Sequence, residues 1–213
     1  MVELIKSATF ERWLISLRDA NGVARIQARL DRTTMGNPGD VRPVGAGVSE
    51  MRIDYGPGYR VYFMQRGRLV VVLLAGGNKS TQGRDIKKAK RIARVEGLTL
   101  KKETFSRYDT ADYLKTEEDV ARYMAAVMEA GPDDPAFIAH ALGVVARARN
   151  MSQLARDAGL TRVGLYKALS REGNPSFSTI MKVARALGFR VSFTLPEGSV
   201  AFRSRARPKT KAA

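Results

Sequence analysis

Two arginines, two tyrosines and a lysine stand close together in the first half of the chain, in a pattern that suits phosphate chemistry. Arg52 and Arg60 fall on two alternating segments joined by Gly56-Pro57-Gly58, with Tyr59 and Tyr62 beside them and Lys79 after the next apolar run. A guanidinium fork can hold a phosphate in ground and transition states, a tyrosine can stack on a splayed base, and a lysine or tyrosine can move a proton. Arg60 and Lys79 are the foremost candidates. The plainer alternative is that the basic residues bind a carboxylate-rich partner and that Tyr55, Tyr59 and Tyr62 simply pack. With no cysteine and a single histidine, His140, the chain offers no thiolate site and no histidine cluster, so neither metal nor cofactor is expected. His140 shares a helical stripe with Phe137, Ala141 and Leu142 and reads as a packed or surface residue. "GGNKST" has Asn78 and Leu73 where a phosphate-binding loop requires glycines, so ATP binding is unsupported.

A second candidate lies in the other half, in "SQLARDAGLTRVGLYKALS" at residues 152–170. Two helices that meet across a tight turn need a small residue at their contact, a residue tolerant of positive φ at the turn, and an apolar inner side on the second helix. Ala155, Gly159, and Leu165 with Ala168 and Leu169 meet those needs. Thr161, Arg162, Val163, Tyr166, Lys167 and Ser170 are then left outward at the start of the second helix, where base edges and phosphates would be met. The alternative is an ordinary helical hairpin. Gly164 counts against the helix, at a cost of about 1 kcal/mol relative to Ala.

The elements that must carry these residues follow from periodicity. Phe10, Trp13, Leu14 and Leu17, then Ile26 and Leu30, mark two helices with Arg25, Arg29 and Arg32 outward. "MGNPGDVRPVGAG" reads as a loop, "VSEMRIDY" and "YRVYFMQ" as an antiparallel hairpin, and "LVVVLLA" as a central strand. A basic helix closes that half, with Ile86, Ala89, Ile92 and Ala93 inward and Lys87, Lys88, Lys90, Arg91 and Arg94 outward. Helical stripes resume near Val120. Ser152, Thr161 and Ser176 or Ser178 are expected caps, and Val191, Phe193 and Leu195 form a short final strand free to pair with a second copy over residues 190–195.

Net charge is +16 for 213 residues, which favours a polyanionic partner. Residues 1–97 carry 18 Lys/Arg against 9 Asp/Glu, whereas residues 107–134 carry eight acids against three bases. That acidic block is expected to lie on the basic face of the first half. No apolar run approaches the roughly 18 residues of a membrane span. Glu3, Lys6, Glu11 and Arg12 interrupt any signal-peptide core, so no membrane association and a cytoplasmic location are expected.

The stretch "MSQLARDAGLTRVGLYKALSREGNPSFSTIMKVARALGFRV" resembles the antidote of an addiction module, of the lambda-repressor-like Xre/HigA type. "YDTADYLKTEEDVARYMAAVMEAG" fits the same family upstream, so that the likeness covers about residues 107–196. In the first half, "FERWLISLRD", "SEMRIDYGPGYRVYF" and "GGNKSTQGRDIKKAK" resemble the RelE/ParE toxin superfamily, nearest its HigB-like branch. These resemblances imply two domains. Residues 1–97 would be an α+β toxin domain with two helices, an antiparallel sheet and a C-terminal helix. A linker or wrapping segment would occupy 98–116, an all-α helix-turn-helix domain with a short terminal strand 117–196, and a basic disordered tail 197–213. They further imply a metal-independent endoribonuclease acting on mRNA, in this family often on the ribosome, and built here from Arg60, Lys79, Arg52, Tyr59 and Tyr62. The fused antidote would restrain it by intramolecular contact while binding operator DNA and autorepressing its promoter. Two other functions stay open: a transcriptional regulator with an inactive toxin-like module, and a ParE-like gyrase inhibitor fused to its antidote.

Overall fold

The computed structural model describes residues 2–96, 103–170 and 173–192. Strand β1 (Glu3–Ser7) runs straight into helix α1 (Ala8–Ser16), and Ser7 fixes the corner. Its hydroxyl accepts the Phe10 N–H and donates to the Leu74 carbonyl at 2.7 Å, which pins the helix start to the sheet. Helix α2 (Ala20–Thr34) begins on Asp19, whose carboxylate accepts the Gly22 N–H. Strands β2 (Val41–Gly45), β3 (Val48–Ile53), β4 (Tyr59–Arg66) and β5 (Val70–Asn78) then form an antiparallel meander. Asn78 caps a single 3-10 turn (Lys79–Thr81) that leads into α3 (Gln82–Glu96). Strand β6 (Phe105–Arg107) completes a sheet of order β2-β3-β4-β5-β1-β6, with β1 parallel to β5 and antiparallel to β6.

Alternation gives this sheet two buried faces. Leu4, Met51, Ile53, Tyr59, Val61, Phe63 and Leu73 pack on Phe10, Leu14, Ile26 and Leu30 of α1 and α2. Val48, Tyr62, Val72, Leu74 and Ala75 pack on Ala89 and Ile92 of α3. Helices α4 (Glu117–Ala130), α5 (Pro135–Ala148), α6 (Met151–Asp157), α7 (Arg162–Ala168) and α8 (Phe177–Ala186) follow. Their core includes Tyr123, Val127, Phe137, Leu142, Val145, Leu165 and Val183, and with them Ala24 and Ala28 of α2. Helix α2 is therefore buried on two sides: Ile26 and Leu30 enter the sheet core, while Ala24 and Ala28, one turn apart on another face, let α4 approach closely.

The expected fold class needs correcting. The sheet has six strands and is mixed, not antiparallel, because β1 joins beside β5. The Gly/Pro-rich segment expected as a loop supplies β2, where Pro43 is tolerated because the strand is an edge. No free-standing all-α helix-turn-helix domain of lambda-repressor type follows a toxin-like domain, since the helical region takes part of its core from α2. The final strand is also absent as far as Ser192, while Phe193, Leu195 and the tail from 197 lie outside the described residues.

Candidate nucleic-acid interface and the seam behind it

Helices α6 and α7 present the most open of the candidate surfaces. Asn150 starts α6, accepting the Ser152 and Gln153 N–H groups, in place of the expected Ser152 cap. Gly159 at φ 64° turns the chain, and the Leu160 N–H returns to the Ala155 carbonyl at 2.8 Å. Thr161 caps α7 by accepting the Gly164 N–H at 2.9 Å. A Cβ on residue 164 would stand 2.9 Å from the same hydroxyl, so glycine here leaves room for the cap. Leu165 and Leu169 are buried against α5 and α6, and they turn the opposite side of α7 outward. Thr161, Arg162, Val163, Tyr166, Lys167 and Ser170 are all exposed. Val163 is 78% and Tyr166 45% accessible. The Arg162 guanidinium lies 5.7 Å from the Tyr166 ring centre, a cation–π pair at the middle of this surface.

The phosphate-type candidates of the first half are arranged differently. Arg52 and Arg60 face each other across β3 and β4 on the side covered by α3, and both are drawn to Glu50, a carboxylate only 1% exposed. Arg52 Nε donates to it at 2.7 Å, Gln82 of α3 donates at 2.8 Å, and Arg60 Nε stands 3.5 Å away in an ion pair without hydrogen-bond geometry. An arginine held by a buried carboxylate is not a free phosphate fork. Tyr62 is fully buried with its hydroxyl unpartnered; burial, then the charges of Glu50 and Asp85, push its pKa up to about 12. Tyr59 packs on the opposite face and donates to Asp19 at 3.0 Å; burial and that hydrogen bond raise it likewise to about 12. Neither phenol is placed to stack on a base or to give up its proton near neutral pH. Lys79 is exposed, and its Cβ and an Arg60 terminal nitrogen both flank Gly58. Glu50, the centre of this group, was not singled out from the sequence.

The seam between the halves is built on α2. Asp31, 4% exposed, accepts the Tyr123 hydroxyl at 2.6 Å and the Thr110 hydroxyl at 3.0 Å. His140 Nε2 lies 3.9 Å from it, buried and without a hydrogen-bond partner. The Thr110 hydroxyl also reaches the Tyr108 hydroxyl, which accepts at 3.2 Å. Burial, then the Asp31 charge, raise the Tyr108 and Tyr123 pKa values well above the usual phenol range. Around this centre, Arg25 pairs with Glu129 and stacks on Tyr55, and Arg32 donates to the Ala130 carbonyl. The contact is thus mainly apolar with one buried acid. It is not the broad charge match expected of the acidic block: Glu117, Glu118 and Asp109 pair with Arg149, Arg122 and Arg147 of their own half. Lys87, Lys88, Arg91 and Arg94 stay exposed on α3, on the other side of the sheet.

Residues 104–195 match the family model described as a probable addiction module antidote protein. The chain is 44% identical over 97 residues to an uncharacterized protein of Haemophilus influenzae, covering 46% of this chain and 98% of that relative. It is 51% identical over 83 residues to another uncharacterized protein of the same organism, covering 39% of this chain and 84% of the relative. No solved structure matches it. No described helix is long and apolar enough to cross a membrane.

Proposed function

We propose, for a chain whose residues 104–195 belong to the family of probable addiction module antidote proteins, that it is an antidote carrying a toxin-type partner in cis. In this reading α7 recognises operator DNA upstream of the chain's own gene and represses transcription. The observation that carries it is the exposure of Thr161, Arg162, Val163, Tyr166, Lys167 and Ser170 together on a helix whose other side is locked by Leu165 and Leu169. A rigid helix with an arginine, a lysine, three hydroxyls and an apolar side chain outward can offer both base-edge and phosphate contacts. The basic face of α3 adds a second cationic surface suited to a polyanion.

For the first half, the geometry favours a module that binds without cutting, because Tyr59 and Tyr62 are buried and Arg52 and Arg60 are tied to Glu50. A metal-independent endoribonuclease acting on mRNA is the second reading. It is favoured by one observation, the exposed Lys79 beside Arg60 at Gly58. In either case the seam at Asp31 is the intramolecular restraint, held at the high effective concentration of a tethered partner.

A reporter gene placed behind the chain's own upstream DNA tests the regulatory role. Full-length chain lowers its expression, and Arg162→Ala with Lys167→Ala restores it. Unchanged expression with the intact chain contradicts the reading. Growth of cells expressing the full chain with Tyr123→Ala and Val127→Asp, which loosen α4 from α2, tests the restraint. Slowed growth that Lys79→Ala relieves supports the nuclease reading, and normal growth supports the non-cutting one.

A further inference from the structure

We infer that Arg107, on β6 at the edge of the six-stranded sheet and within the antidote-matching residues 104–195, holds a backbone phosphate of the duplex that α7 reads. This rests on the DNA-binding reading above. A cleft of about 350 Å³ adjoins α7; it is lined by Tyr166 and Ser170, by Arg107 and Asp109 from the segment at β6, and by His140 and Arg147 of α5. Tyr166 is on the outward surface of α7 and the exposed Ser170 lies just past its C-cap Leu169, so the cleft borders the proposed reading face. It adjoins a second cavity of about 290 Å³ that shares Arg107, Asp109, His140 and Arg147 and reaches Asp31 at the seam.

The charges in this cleft are unequally matched. Asp109 accepts two hydrogen bonds from the Arg147 guanidinium, at 3.1 and 3.3 Å. Arg107 is exposed, and its guanidinium has no hydrogen bond or ion pair among the described residues, although Asp109 feels its charge. His140 Nε2, more than nine-tenths buried, also lines the cleft without a hydrogen-bond partner. One unmatched guanidinium and one unsatisfied imidazole nitrogen therefore border a cleft beside a helix offered to DNA. Arg107 is also held in place: β6 pairs with β1, placing Arg107 opposite Ile5. A helix in the major groove, about 12 Å wide, is flanked by phosphates of both strands, and contacts to them set the register of docking. Strand β6, seated at the edge of the sheet beside β1, supplies such a contact through Arg107.

The test uses full-length chain and fluorescence anisotropy, with a duplex from its own upstream region and a shuffled duplex of equal length, over a series of salt concentrations. Arg107→Ala is expected to weaken binding several-fold and nearly equally on both duplexes, and to reduce the slope of log K against log salt by about one. Arg107→Lys keeps the slope. Arg42→Ala, which removes one exposed positive charge at the opposite edge of the same sheet, leaves it unchanged. An Arg107→Ala effect no larger than that of Arg42→Ala overturns the inference, while loss of upstream preference in Arg162→Ala still upholds the DNA reading. If the intact chain binds neither duplex, the DNA reading falls and the inference with it. Inorganic phosphate serves as a further probe: a melting shift that Arg107→Ala abolishes, with DNA binding unaltered, assigns the cleft to a small anion and overturns the backbone contact.

Discussion

Tyr123 of α4 donates its hydroxyl at 2.6 Å to Asp31 of α2, a contact across 92 residues of sequence in which both groups are buried. Asp31 also accepts from Thr110, so two donors from beyond the sheet satisfy one buried acid of the first half. A hydrogen bond to a charged group contributes roughly 1.5–3 kcal/mol, and an acceptor left short in the interior retains its desolvation cost. Tyr123→Phe is therefore expected to destabilise the whole chain by about that amount. Chemical denaturation followed by fluorescence and by circular dichroism should show one lowered midpoint for both probes; a midpoint shift confined to one probe would indicate that the halves unfold separately.

Acid should weaken the helical half through Asp109. Burial raises this carboxyl, but hydrogen bonds and charge from Arg147, with the Ala111 N–H, more than offset it and hold the pKa below the ordinary value of 3.8. A carboxyl depressed in the folded state stabilises above its unfolded pKa, and that stabilisation is lost as pH falls through the folded value. Asp109→Asn should lower the melting temperature at neutral pH and flatten its decline below about pH 4. Melting curves of both proteins across that range provide the check.

Alkali acts in the opposite sense. Tyr59 and Tyr62 are raised from 10.0 to about 12, and Tyr108 and Tyr123 well above the same starting value. Between the unfolded and folded values the folded chain keeps protons that the unfolded chain has released, so stability falls as pH rises through that window. Tyrosinate absorbance should accordingly rise together with unfolding above pH 10, and Tyr62→Phe should make the loss of stability shallower. A full tyrosinate signal from a still folded chain at pH 11 would contradict the burial of these hydroxyls.

Glu50 organises the first half without being its candidate catalyst. Removing it by Glu50→Ala leaves Arg52 and Gln82 without their shared acceptor and Arg60 without its ion-pair partner, and a broken buried ion pair typically costs about 3–5 kcal/mol. Glu50→Gln should cost less because it retains an acceptor oxygen. Urea denaturation of the two variants should rank them in that order; equal stability of Glu50→Ala and the parent would show that Arg52, Arg60 and Gln82 do not depend on it.

Much of the local structure was legible because its causes are local. Thr161 and Ser176 as caps, Gly159 at the turn, and Leu165 on the inner side of α7 are set by residues within a few positions of one another, as is the β3–β4 alternation. What escaped depends on distant partners. Strand β1 is five residues long and finds its parallel neighbour at Val70–Leu73, which no local period announces. Glu50, Arg52, Arg60 and Tyr62 alternate as a solvent face would, yet α3 covers them; a single acid two residues from Arg52 and diagonal to Arg60 on that face was the available clue. Ala24, Ala28 and Asp31 recur at helical spacing on α2. Two small residues and an acid there read as a surface stripe until α4 and α5 supply the other wall.

The account depends most on α7 being free to read DNA while α2 and α4 stay locked together. Its most direct test is the ratio of full-length chain affinities for a duplex from its own upstream region and for a shuffled duplex of equal length, at one fixed salt concentration. A preference of about a thousandfold or more, as specific DNA-binding proteins show, with most of it lost in Arg162→Ala, is the expected result. Equal affinity for the two duplexes would contradict it.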